Sequence, residues 1–99
     1  MTLHKIRVPV VIMLAGFIAC SPALYLPTPD LAKQRQLPLE DLNQGRKLYI
    51  EHCGSCHRLY LPGQFGAAKW RSAADTMQPR AKINTKQKLL ILDYILSGK

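Results

Sequence analysis

Cys53-Gly54-Ser55-Cys56-His57 is the stretch from which the rest of the chain is read. In a short exported protein a C-x-x-C-H run is the attachment site of a c-type haem: the two thiols add to the vinyl groups, and the adjacent imidazole reaches the iron. One run therefore specifies a cofactor, a covalent bond and one axial ligand. A tetrahedral zinc site needs about four protein ligands, usually in two separated pairs, and no second Cys/His pair follows His57. His52, Cys53, Cys56 and His57 are too crowded to close one tetrahedron. A thioredoxin-type C-x-x-C calls for a βαβ pattern, which this chain lacks. A bare disulfide or metal clip is the remaining alternative.

Upstream, the chain begins as an export signal. Met1 to Arg7 carries Lys5 and Arg7, and Val8 to Cys20 is then almost wholly apolar, the pattern of an n-region and h-region. That stretch falls short of the roughly twenty residues a bilayer span needs. An uncleaved anchor running from Val8 to Leu26 would have to contain Pro9 and Pro22. Cys20, the last of the 3 cysteines, closes the run Phe17-Ile18-Ala19-Cys20. That run is similar to the lipobox of bacterial lipoproteins, with Phe17 where leucine is usual, and the resemblance implies lipidation of Cys20. Cleavage after Ala23, in Ser21-Pro22-Ala23, is the alternative. A lipid on Cys20 would also remove a leftover reactive thiol. The expected organisation is a signal peptide over 1–19, the anchor cysteine with a Pro-rich linker over 20–40, and one small domain over 41–99.

The chain carries 14 Lys+Arg against 6 Asp+Glu, a net charge of +8. Removal of Lys5 and Arg7 with the leader leaves 12 against 6. Such a surface is steered toward acidic docking partners and anionic lipid headgroups. Nucleic acid is disfavoured because the charges are scattered and an exported protein meets little of it. Many of these side chains simply keep a small protein soluble.

Four of the 7 prolines, Pro22, Pro27, Pro29 and Pro38, lie between Ser21 and Pro38, which reads as an extended, semi-rigid spacer. A first helix is expected over Leu42–Cys53 with Asp41 as N-cap and Gly45 on its apolar side. The cost of glycine in a helix interior, about 1 kcal/mol against alanine, suggests close approach of another backbone. A second helix is expected over Ala67–Met77, with Trp70 and Ala74 on one side and Pro79 marking its end. The last helix opens at Asn84 or Thr85 and runs to Ser97, before Gly98. On it, Ile91, Tyr94 and Ile95 form a stripe toward the first helix, while Leu89, Leu92 and Leu96 point elsewhere.

From about Leu42 to Gly98 the chain resembles a compact bacterial class I monohaem cytochrome c. The residues that carry the likeness are Gly45-Arg46-Lys47-Leu48-Tyr49, Cys53 to Leu59, Pro62, Trp70, Met77, Ile91 and Tyr94-Ile95. The resemblance implies an all-α fold of three to four helices around a covalently bound haem c. It also implies a crossing of first and last helices at Gly45, Tyr49 and Tyr94, and a Pro62 carbonyl that receives His57 Nδ1–H. Trp70, Arg71 and Arg80 are candidate propionate partners, with core packing or solvation as the competing roles.

The sixth iron ligand follows by elimination. Thioether opposite imidazole is the usual pair in electron-transferring cytochromes c, and Met77 is the methionine left once Met1 and Met13 depart with the signal. His52, beside Cys53, belongs to the attachment side. A core methionine beside a five-coordinate iron is the competing assignment. The expected metal ligands are thus His57 and Met77, with Cys53 and Cys56 as covalent attachments.

The expected function is one-electron transfer without a small-molecule substrate, by a periplasmic, membrane-tethered carrier or the small subunit of an oxidoreductase. Its redox protein partners would present acidic docking surfaces. The alternative is an open iron that binds a diatomic gas or performs peroxidase-like chemistry. A mature domain of this size has little core of its own, so the apo chain is expected to be largely unfolded.

Overall fold

A computed structural model describes residues 24–54 and 58–99. Among them the protein is all-helical, with no strand. Four α-helices follow one another: α1 (Pro29–Arg35), α2 (Leu39–Leu48), α3 (Ala67–Ala81) and α4 (Thr85–Ser97). A π-helical turn, Tyr49–Cys53, extends α2, and a short 3₁₀ turn, Pro62–Gln64, precedes α3. No helix among the described residues is long and apolar enough to cross a membrane.

The Pro-rich segment is not extended throughout, because Thr28-Pro29-Asp30 is a helix start. Thr28 Oγ1 accepts the Leu31 N–H at 3.2 Å, Pro29 sets the first helical φ without needing a donor, and Asp30 faces the positive end of the dipole. The helix stops at Gln36, whose φ of 55° is left-handed. Tyr25 and Leu24 also pack on the core, so residues assigned to the linker join the folded body.

The helix leading to Cys53 begins at Leu39, three residues before the expected start, and Pro38 rather than Asp41 occupies the N-cap. The Pro38 carbonyl accepts the N–H groups of Asp41 and Leu42 at 3.1 and 3.3 Å. Asp41 lies in the first turn, where its charge suits the dipole. Its last turn widens to π geometry, a form frequent at functional sites.

Helix α3 passes through Pro79 and ends two residues later at Ala81. A proline there forfeits its own backbone hydrogen bond, and the helix closes within a turn of it. Closure comes from Lys82, left-handed at φ 55°. The last helix matches its expected bounds: Asn84 Oδ1 accepts Gln87 N–H at 2.8 Å, Gln87 Oε1 accepts Asn84 N–H at 2.9 Å, and Gly98 caps the end.

Helices α2 and α4 meet at Gly45. A Cβ there would overlap the Leu90 carbonyl oxygen and lie 2.8 Å from its carbon and 2.9 Å from Tyr94 Cβ, so only glycine lets the two backbones approach. Leu90 and Tyr94 thus meet α2, which corrects the expected Ile91/Tyr94/Ile95 stripe. Ile91, Leu92 and Ile95 instead face a cavity. Leu42 and Tyr94 are fully buried at the centre of this packing.

The six aromatic side chains of the described residues form one connected series. Tyr25 stacks on Tyr94 with centroids 4.5 Å apart. Tyr94 meets Tyr49 edge-on at 6.5 Å, and Tyr49 meets Trp70 edge-on at 6.1 Å. Phe65 then bridges Trp70 and Tyr60 at 5.5 and 5.2 Å. Edge-to-face pairs of this kind add about 0.5–1.5 kcal/mol each beyond area burial.

Candidate cofactor site

Between the π-helical turn, α3 and α4 lies an apolar cavity of about 350 Å³. Cys53 and His52 reach it from the π turn, Tyr60 and Phe65 from the connection, and Ile91, Leu92 and Ile95 from α4. Helix α3 contributes Trp70, Ala73, Ala74, Met77 and Ala81. Their spacing of three and four places them on one helix face. The small Ala73 and Ala74 keep the space between Trp70 and Met77 open.

Of the expected site residues, Cys53, Trp70 and Met77 all line this cavity. Pro62 stands behind it: its carbonyl accepts the Trp70 Nε1–H at 2.9 Å and thereby orients the indole. Cys56, His57 and Cys20 lie outside the described residues. Among the candidate propionate partners, Arg80 lines the cavity and Arg71 does not.

His52 also lines the cavity, which its place beside Cys53 did not signal. Its Nδ1 lies 3.2 Å from the Ala81 carbonyl at the end of α3. The carbonyl only accepts, so Nδ1 carries the proton in this contact. The bond ties the π turn to the helix that carries Met77. Tyr49 is held likewise, donating to the Tyr60 carbonyl at 2.7 Å. Burial first, then the neighbouring Cys53, push the Tyr49 phenol up to about 12.

Among the described residues three cations, Lys69, Arg80 and Lys88, stand on the lining, and no carboxylate does. Lys69 Nζ sits over the Phe65 ring, 4.3 Å from its centroid. Lys88 is held by Asp75 at 2.8 Å. Among the described residues no group of three or more His, Cys, Asp or Glu side chains could hold a bare metal ion.

These residues fit a haem. A flat, largely apolar macrocycle with two carboxylates matches apolar walls with cations on the lining, and Cys53 supplies a thiol to the same space. Comparison with known proteins adds no family: no family model, curated protein or solved structure matches the chain.

Proposed function

We propose that this protein is an exported c-type cytochrome that carries single electrons. The observation that supports the reading best is one apolar cavity holding both Cys53, of the C-x-x-C-H run, and Met77. Cys53 and Cys56 would bind haem c covalently, with His57 and Met77 as axial ligands. When bound, the haem iron supplies a one-electron ferric/ferrous couple, and a His/Met pair sets its potential higher than two histidines would.

The remaining residues hold, orient and insulate. Trp70, fixed by Pro62, and the α4 residues Ile91, Leu92 and Ile95 give the cavity apolar walls. Such walls would cover a bound macrocycle and limit its contact with water. Arg80, on the cavity lining, would pair with a haem carboxylate. Exposed Arg58 and Lys69 would meet an acidic surface on a redox protein partner, which speeds encounter more than it strengthens binding. Lipidation of Cys20 would keep this encounter at the periplasmic side of a membrane.

A visible spectrum of the purified protein in both redox states tests the reading. Attached haem and a ferric methionine-to-iron band are expected. Rapid stoichiometric binding of carbon monoxide to the reduced protein would replace the carrier by the open-iron alternative.

A further inference from the structure

Tyr25 is clasped to the C-terminal end of α4. Its hydroxyl donates to the Tyr94 carbonyl, and the Tyr94 hydroxyl donates back to the Tyr25 carbonyl at 2.8 Å. The stacked rings lie 6° from parallel. Gly98 makes room, since a Cβ there would collide with the Tyr25 ring. The chain next to the anchor cysteine is therefore part of the folded body from Tyr25 onward.

We infer that the domain is held against the membrane by this end, with Leu26 facing lipid and the cavity facing away. The inference rests on the lipidation of Cys20. Between Cys20 and Tyr25 the chain spans at most about 17 Å, whatever path it takes. A folded chain of this size is about 30 Å across. A tether shorter than the body it holds excludes poses in which the tethered end points away from the surface, and the surface chemistry of that end selects among the rest.

That end has the chemistry of a headgroup contact. Leu26, adjacent to the clasp, is 69% exposed, the most exposed large apolar side chain among the described residues. Exposed Lys33 and Arg35 close α1, and Arg35 is near enough to act on the Tyr25 phenol. Lys99 follows Gly98, against which Tyr25 packs. An apolar residue among cations is the pattern that seats peripheral segments on anionic lipid. Tyr94 and then Tyr49 separate Tyr25 from the cavity. A redox partner thus approaches from the aqueous side.

The test uses the haem-loaded, lipidated protein in phosphatidylcholine vesicles containing a minority of phosphatidylglycerol, with Leu26→Cys or Thr85→Cys. Thr85 is exposed at the opposite end of α4, about 20 Å along the axis from Gly98. Labelling by a membrane-impermeant polymer-maleimide is compared with that of the same variants exported behind a conventional cleavable signal and starting at Ser21. The expected result is several-fold slower labelling at Leu26→Cys on vesicles and an unchanged rate at Thr85→Cys. Arg35→Glu, which removes a cation from the patch and leaves both tether and clasp intact, should raise the Leu26→Cys rate on vesicles toward its solution value. Equal rates on vesicles and in solution would overturn the inference alone, leaving the patch to a protein partner or a second copy. A chain carrying no lipid on Cys20 by intact mass would overturn the anchoring reading and this inference with it.

Discussion

Cys53 and Met77 share the wall of one apolar cavity, although the first ends the π-helical turn and the second sits late in α3. The bond from His52 Nδ1 to the Ala81 carbonyl joins the two elements at that point. The thiol of the motif and the thioether proposed as sixth ligand are therefore held by one packed unit.

Met77→Ala should remove the ferric methionine-to-iron band, lower the reduction potential and let carbon monoxide bind the reduced protein rapidly. Met77 is half-buried, so the accompanying loss of stability should be about 1–2 kcal/mol, at or below the low end for core truncations. An unchanged spectrum with the same loss of stability would reduce Met77 to a packing residue.

Gly45→Ala pits two effects against each other. Alanine gains about 1 kcal/mol of helix propensity, but its Cβ would overlap the Leu90 backbone. A backbone cannot rotate away as a side chain can, so overpacking should win. The expected net loss is about 2 kcal/mol, or a fall in Tm of about 10 °C. Gly63, with nothing within 4 Å of a built Cβ, provides the control, and Gly63→Ala should stay within about 0.5 kcal/mol of the parent. Guanidinium titration of both variants decides between them.

High pH should unfold the protein partly through Tyr49. Its folded pKa of about 12 lies above the ordinary value of 10.0, so the folded state keeps a proton that the unfolded chain releases. Stability is then intact below pH 10 and lost as pH rises from about 10 to 12, by about 2 kcal/mol from this residue. Tyr49→Phe should flatten the profile over that window, measured by denaturant midpoints at stepped pH. A thioether at Cys53 carries no charge, so attached haem should moderate the effect.

Withholding haem should cost the domain most of its structure. Without haem the apolar walls formed by Trp70, Ile91, Leu92 and Ile95 would face water in place of the cofactor. A domain this small has little stability to offset that exposure. Circular dichroism of protein made without haem attachment should show strongly reduced helicity. Full native helicity would place the folding energy in the α2–α4 packing instead.

Much of the helical frame was legible because it rests on local chemistry. Asn84 and Gln87 cap α4 by bonds within one turn, and Gly45 announced a close crossing through its cost in a helix. Thr28-Pro29-Asp30 carried an equally local start signal that the density of prolines obscured. Pro79 marks the end of α3 only approximately, because a proline removes its own backbone bond without stopping the next residues from staying helical, and closure came two residues later.

By itself, the sequence determined the chemistry on offer: thiols and an imidazole at fixed spacing, one methionine after Met13, apolar helical periods and a basic surface. Chain neighbours and composition suffice for these. Which faces meet was decided only by tertiary packing. Leu90 rather than Ile91 took the Gly45 contact, freeing Ile91, Leu92 and Ile95 for the cavity. Likewise His52 reached the end of α3, and Tyr25 closed over Tyr94. Each choice turns on a rotation of tens of degrees or a backbone approach of a few ångströms between segments remote in sequence, which no local pattern encodes.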